Sequence, residues 1–433
     1  MTTRLAEALE RLEAAVSPLA GIVTHTVSAT HMTDESRLPN CASELASSVH
    51  TLGAPAVDWG SGAHPDPDRA RAAALGEALE RYSALYLPPD GIRLATAREL
   101  GSSAVDPARF ALFHPAQLAM PGFPCAPFTW TTRTAWVEGT RLADGTRAFL
   151  PAELVYLARP EPSLRPIAYS TSNGLACAPT RLEATLAAAL ELIERDAVMI
   201  AWKCRLSLPL LDWSGDGELR RLESRYFAPS GLRFSVLDGS HLLRVPVAVA
   251  ILHGAPGSGA ALAMGAGAGA SIGDAWLKAL GEAFGVFRWL RSQDEPPPSD
   301  AGAVETFADH MRFYADDTRA AQAAFLDASA ERTATADVPT LEGTTVTEQL
   351  AAVVGRLDDR GLTGYAVDVT SPDVRSLGLA VVRVIVPELC PLDVSHRARF
   401  LGGRRLTHAA YEAGLLAAPL RVSDLNPLPH PFP

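Results

Sequence analysis

Apolar positions recur along the chain in two rhythms, which divide it into short strand-like runs and alanine-rich helices. FSVLDG at 234–239 and VPVAVAILHG at 245–254 are β-branched runs closed by glycine, and LGLAVVRVIVPEL at 377–389 predicts a longer strand stopped at Pro387. Helical spacing predicts helices over about 67–86, 180–203, 272–292 and 301–330. At the N-terminus Leu5, Leu9, Leu12 and Val16 share one helical face, so an amphipathic helix is expected before Pro18. DEPPPSD at 294–300 reads as a linker, because three prolines cannot continue the preceding helix. The segment after it, over about 301–330, is expected to form a peripheral helical layer. No second class of composition marks an independent module. The reading is an α+β fold, with an N-terminal helix over 1–17 and one domain over 18–433.

Composition narrows the function more than the fold. The chain has 433 residues, with 38 basic against 49 acidic side chains and a formal charge of −11. It is long enough to bury a core without disulfide or metal staples. An acidic excess argues against nucleic acid as a partner, which needs a basic face. Acidic residues interrupt the first apolar stretch where a signal peptide would need continuity. No uncharged apolar run reaches the ~18 residues of a membrane span. The five cysteines lie far apart with no CxxC, and the eleven histidines form no HExxH. That pattern fits buried thiols in a reducing, cytoplasmic setting better than a disulfide framework or a zinc site. Only Lys203 and Lys278 are lysines; arginine supplies the remaining basic residues.

Three helices repeat a pattern: AALGEALERYSA at 73–84, AALELIERDAVM at 188–199 and KALGEAFGVFRW at 278–289. The first two continue as E-x-x-E-R. At ~100° per residue, Glu77, Glu80 and Arg81 fall within an arc of roughly 120°, and Glu191, Glu194 and Arg195 repeat that arc. A solvated salt-bridge face is the ordinary reading of such a pattern. However, the middle helix is apolar almost all round, as a buried helix is. Buried carboxylates must be protonated, paired or bound to cations, and two arginines cannot neutralise four glutamates. A hard divalent cation with oxygen ligands resolves this, and Mg2+ brings phosphates with it. The usual nucleotide motifs are missing: there is no GxxxxGK[ST] loop, and GAGAGAS at 265–271 lacks the G-x-G-x-x-G register. A tight backbone turn is the expectation for GAGAGAS. No GxSxG invites a hydrolase.

At these motifs the chain resembles the YcaO family. The likeness lies in ARAAALGEALERYSA at 70–84, STSNGLACAPTRLEATLAAALELIERDA at 170–197 and AWLKALGEAFGVFRWL at 275–290, supported by VVRVIVPEL at 381–389. The resemblance implies a YcaO-type ATP-binding fold, with related strand-helix layers around one nucleotide site holding ATP and Mg2+. It implies Glu77, Glu80, Glu191 and Glu194 as metal and phosphate-side carboxylates, with Arg81 and Arg195 orienting them or meeting phosphate. Asn173, Glu183 and Glu282 would complete the nucleotide pocket.

The proline-rich tail over 427–433, with prolines at 427, 429, 431 and 433, must be extended. A loose tail or a polyproline ligand is one reading. The azoline-forming branch of the family ends in such a P-x-P-x-P, its terminal carboxylate directed into the active site. The resemblance therefore implies the D subunit of a thiazole/oxazole-modified peptide synthetase: an ATP-dependent cyclodehydratase with Pro433 as general base. A Cys, Ser or Thr side chain of a ribosomally made precursor peptide would attack the preceding amide. ATP would phosphorylate the amide oxygen, and phosphate would leave an azoline. Expected partners are an E1-like or ThiF-like leader-binding protein, a flavin-dependent azoline dehydrogenase and a second copy in a homodimer. Three positions depart from the family pattern: Ser61 where a lysine is usual, Ala73 where a serine is, and Gly285 in place of a polar residue. A non-catalytic YcaO scaffold, or a YcaO making thioamides or amidines, stays open beside the cyclodehydratase.

Overall fold

Glycine and alanine decide how closely helices approach strands in this protein. The computed structural model describes residues 3–29, 35–53 and 59–433. The chain divides into two compact units, one made of Met1–Ala29, Pro39–Leu192 and Gly343–Glu388, the other of Thr30–Leu38, Ile193–Glu342 and Leu389–Pro433. The helix Arg181–Lys203 belongs to both, the division falling after Leu192.

The first unit holds two sheets. A three-stranded antiparallel sheet pairs Val23–Ser28, Asn40–Leu45 and Trp59–Ala63 in that order. A six-stranded sheet runs Ile92–Thr96, Arg133–Arg141, Tyr365–Asp368, Ala380–Ile385 and Leu175–Ala178, with Arg147–Pro151 also paired to Arg133–Arg141. The helix Pro67–Ser83 has Pro67 in its first turn, and the Asp66 side chain caps it by accepting from Asp68 N. Its Ala70, Ala74 and Ala78 lie one turn apart and face Gly60 and Gly62 of Trp59–Ala63. A Cβ at Gly62 would sit 2.1 Å from the Ala70 carbonyl oxygen. On other faces the helix bonds elements of the larger sheet's neighbourhood: Ser83 Oγ donates to the Val369 carbonyl, and Tyr82 Oη to Asp373.

The second unit carries a five-stranded sheet in the order Leu262–Ala268, Val247–His253, Arg233–Asp238, Leu210–Asp212 and Arg332–Ala334. The helix Ile272–Arg291 packs on the first of these strands, capped by Ser271. Its opposite side meets an aromatic cluster in which Phe227 lies 5.5 Å from Trp276 and 5.3 Å from Phe284.

The expected helices appear at Pro67–Ser83, Arg181–Lys203 and Ile272–Arg291, and the N-terminal one at Thr3–Glu13. The strand expected over 377–389 is shorter, Ala380–Ile385, because Gly378 turns with positive φ. Two expectations are corrected. GAGAGAS is no tight turn: residues through Ala268 form the strand Leu262–Ala268, and Gly265 and Gly267 are where the helix backbone comes close. A Cβ at Gly265 would lie 2.4 Å from Ala283 N and at Gly267 2.3 Å from the Ala275 oxygen. The 301–330 stretch is not one helix but short ones, Phe307–Phe313 and Asp317–Ala320, with 3-10 turns around them. Its His310, Tyr314 and Leu326 are fully buried.

Candidate functional site: two carboxylate clusters

In the first unit the helix Pro67–Ser83 brings Glu77 beside the edge of Trp59–Ala63. Glu77 Oε2 accepts from the Ser61 backbone N–H and, at 3.1 Å, from Ser61 Oγ. Its other oxygen takes Arg81 NH2 at 2.6 Å, and Arg81 NH1 reaches the Trp59 carbonyl at 2.8 Å. Ser61 thus supplies hydrogen bonds to Glu77 but no charge. Glu80 lies deeper. Burial, then the charges of Glu191 and Glu77, hold its carboxyl well above the usual range, against the pull of Arg81 and Arg383. Glu191 Oε1 accepts from Gly174 N at 3.1 Å. The next residue back, Asn173, is buried, and its Nδ2 has no hydrogen-bond partner. Arg383, buried in the strand Ala380–Ile385, donates to the Thr171 carbonyl at 2.7 Å; burial brings its guanidinium down to about 10.

Three carboxylates therefore meet two guanidiniums, one of them buried, beside an unpartnered amide nitrogen. This is a hard, all-oxygen donor set with one negative charge in excess, which fits Mg2+. Among the described residues no three His, Cys, Asp or Glu side chains already converge as a metal cage. Mg2+ typically takes one or two carboxylates plus waters and phosphate oxygens, so a loose set suits it.

In the second unit the same strand-helix device recurs. Glu282 of Ile272–Arg291 accepts from Ala266 N at 2.7 Å, sixteen residues back, as Glu77 does from Ser61 N. Gly265, Ala266 and Gly267 correspond in turn to Gly60, Ser61 and Gly62, and Ala279 and Ala283 to Ala74 and Ala78. Glu194 is wholly buried; its Oε2 accepts from Lys278 Nζ at 2.8 Å and from Ala268 N at 3.0 Å, while Oε1 has no hydrogen-bond partner. Arg195 lies 3.6 Å from Glu194 and 3.9 Å from Glu282. Burial, with Glu194 adding to it, pushes Glu282 up to about 7 despite Arg195 and Lys278. Arg195 also donates to the Pro433 oxygen at 2.9 Å and stacks 4.5 Å over the Phe432 ring.

The predicted residues thus fall into two groups: Glu77, Glu80, Arg81, Asn173 and Glu191 in the first unit, and Glu194, Arg195, Glu282 and Pro433 in the second. Glu183 stands apart from both. It occupies the first turn of Arg181–Lys203, where Thr180 and Glu183 exchange hydrogen bonds as helix-capping partners, and it pairs with Arg4. Two members were not foreseen. Arg383 is a lone cation in an apolar strand, a pattern that signals a buried partner. Lys278, four residues before Glu282, was legible as a cation one turn away on the same face.

A family model described as YcaO cyclodehydratase, ATP- and Mg2+-binding, matches residues 59–390. No curated protein sequence matches the chain. Among solved structures, a heterocyclase in complex with substrate and cofactor is 26% identical, with a TM-score of 0.81 over 99% of this chain and 57% of that one. The heterocyclase TruD is 27% identical, with a TM-score of 0.68 over 84% of this chain and 51% of its own. The chain therefore spans just over half the length of these heterocyclases. YcaO from Methanopyrus kandleri, bound with AMPPCP and Mg2+, shares the fold at 22% identity and a TM-score of 0.62, covering 89% of this chain and 90% of that one.

Proposed function

We propose that this chain, which belongs to the YcaO family, is an ATP-dependent cyclodehydratase that forms thiazolines or oxazolines in a ribosomally made peptide. The observation that carries the proposal is the mutual electrostatic reach of Glu77, Glu80 and Glu191, where burial and the charges of Glu191 and Glu77 raise the Glu80 carboxyl well above its usual range. Glu77, Glu80 and Glu191 are the carboxylates that would hold Mg2+, and Asn173 would offer its unpartnered Nδ2 to an anionic oxygen. Glu194, paired with Lys278 through one oxygen and with Arg195 through the other, would be the weaker metal ligand. In the second unit Arg195 and Lys278 are the cations available to phosphate oxygens, and Glu282 fixes the strand edge beside them. Glu183 serves the helix start rather than the nucleotide.

ATP supplies the phosphoryl group that turns an amide oxygen into a leaving group; the protein's part is positioning and charge neutralisation. The peptide's Cys, Ser or Thr side chain must lose a proton as it attacks. The Pro433 carboxylate, held by Arg195, is the proposed base. A precursor peptide, a leader-binding partner protein and a downstream flavin-dependent dehydrogenase follow from the same proposal, as does a homodimer in the cytoplasm. Among the described residues no helix is long and apolar enough to cross a membrane.

Calorimetry with Mg·ATP, compared with Glu80→Gln, tests the site. Incubation with ATP, the partner protein and the precursor peptide tests the chemistry, read as phosphate release together with loss of one water mass per ring. Absence of Mg·ATP binding would refute the proposal. Ser61 favours one competing reading, a scaffold subunit, because it removes a cation beside Glu77. Ser61→Lys separates the two: an enzyme already binding Mg·ATP gains at most about tenfold in affinity, whereas a scaffold acquires binding it lacked.

A further inference from the structure

The tail at 426–433 presents a physical problem that the rest of the second unit solves. Its prolines have no N–H, so the segment cannot join a sheet, and its buried carbonyls need side-chain donors. Arg399 donates to the Asn426 carbonyl at 2.7 Å, and four further side chains serve residues 428–433. Trp202 Nε1 donates to the Leu428 carbonyl at 3.1 Å, Tyr314 Oη to Pro429 at 2.6 Å, and Arg195 to Pro433 at 2.9 Å. The fourth is His310, whose Nδ1 lies 3.0 Å from the His430 carbonyl and whose Nε2 lies 3.0 Å from that of Val394. The His310 ring is wholly buried and stacks on His430, centroids 3.8 Å apart and planes 13° from parallel. His430 in turn bonds the Asp393 carbonyl through Nε2 at 2.9 Å, and Asp393 is pinned by Lys203 at 3.0 Å.

Of the four donors, His310 alone grips the tail in two ways, by stacking on a ring and by bonding the same residue's carbonyl. Its other ring nitrogen faces the Val394 carbonyl. From Phe432 onward Arg195 holds the tail, stacking on Phe432 and donating to Pro433. His310 is thus the anchor that precedes Arg195 along the tail.

We infer that His310 is a positioning residue: it fixes the tail at His430 and thereby sets where Pro433 meets Arg195. This inference rests on the proposed role of Pro433, but the docking of the tail is measurable without it. The test substitutes His310→Phe, which keeps the ring stack and removes the ring's one N–H donor and both polar contacts to the carbonyls, and His310→Asn, which restores one donor. Hydrogen exchange of the amides of Leu428, His430 and Phe432 reports docking. Mg·ATP calorimetry and steady-state kinetics, with kcat and KM separated, report function. The expected result for His310→Phe is exchange at least about tenfold faster in the tail and kcat lower by about tenfold. Mg·ATP affinity should stay within about twofold, and His310→Asn should recover part of the loss. If the variant fails to fold, His430→Phe addresses the same stack from the tail side with the same expected outcome. Unchanged exchange overturns the inference, as does a joint loss of kcat, Mg·ATP affinity and thermal stability, which marks a merely structural residue. A loosened tail with unchanged kcat overturns the positioning role. If removing Pro433 is then equally silent, the general-base proposal falls while tail docking through His310 stands.

Discussion

The strand-helix pair Trp59–Ala63 and Pro67–Ser83 and the pair Leu262–Ala268 and Ile272–Arg291 are built by one rule and charged by two. In both, two glycines of a G-x-G strand let alanines of the helix come within backbone contact, and a glutamate takes the edge N–H of the residue between the glycines. The charged surroundings then diverge. In the first, Ala73 precedes Glu77 by a turn and Glu80 follows it, so carboxylates outnumber guanidiniums. In the second, Lys278 occupies the place of Ala73 and Gly285 that of Glu80, and Glu194 and Glu282 are matched by Arg195 and Lys278. The device is therefore a backbone one, indifferent to the net charge it carries. Charge excess belongs to one copy, and that copy is the proposed place for the divalent cation.

Removing the excess should have the largest effect. Glu80→Gln takes away the carboxylate most strained by its neighbours, and Mg·ATP affinity measured by calorimetry should fall by roughly 10- to 150-fold, since contacts to charged groups contribute ~1.5–3 kcal/mol each. The apo protein should become slightly more stable to heat, because like-charge crowding is relieved. Glu282→Gln, in the balanced copy, should weaken Mg·ATP by about tenfold or less. Equal losses from the two would erase the distinction drawn between the copies.

Breaking the shared rule should cost stability in both copies alike. Gly62→Ala drives a methyl to 2.1 Å from the Ala70 oxygen, and Gly267→Ala to 2.3 Å from the Ala275 oxygen. Each obstacle is helix backbone, which cannot rotate away. Overpacking of this kind costs ~1–3 kcal/mol, and a fall in Tm of several degrees is expected for each variant. A tolerated Gly267→Ala would mean that the second pair is looser than the first.

These two predictions also mark what was legible in the sequence. The three carboxylate helices were readable because alanine-rich helical spacing and the E-x-x-E-R arcs are local. GAGAGAS was misread because alternating glycines have no periodic signal of their own. Their meaning lies in the helix that packs on them, a tertiary fact. Glu183, which the resemblance implies for the nucleotide pocket, sits at a helix start, where Thr180 Oγ1 and Arg4 claim its carboxylate. Arg383 and the tail's donors Trp202, His310 and Tyr314 come from distant segments, and only folding pairs them with their carbonyls.

A subtler contrast is pH. Glu282 stands at about 7 in the folded chain, against about 4.5 for a free glutamate. Below pH ~4.5 it is protonated folded or unfolded. Between ~4.5 and ~7 the folded state holds the extra proton, so this group's contribution to stability falls as pH rises, and the loss is complete above ~7. Thermal denaturation of the nucleotide-free protein across that window should show a decline that Glu282→Gln flattens. A decline that survives the substitution would assign it to other buried acids, such as Glu80 or Glu388.

The smallest expected effect tests what Gly285 is for. It lies inside Ile272–Arg291 with φ in the helical range, and a Cβ built there meets nothing within 4 Å. Glycine in a helix interior costs ~0.5–1 kcal/mol relative to alanine, through the freedom it retains when unfolded. With no steric obstacle, Gly285→Ala should raise stability by about that amount, which is ~1–3 °C in Tm for a unit of this size. If the glycine is only a lost polar residue, Mg·ATP affinity should not change. The first copy places Glu80 at the corresponding position, so the room beside Gly285 is where a side chain once expected by the pattern would project. A stabilised variant with weakened Mg·ATP binding would show that this room is occupied when nucleotide is bound, and the balanced copy would then bind by leaving space where the other binds by charge.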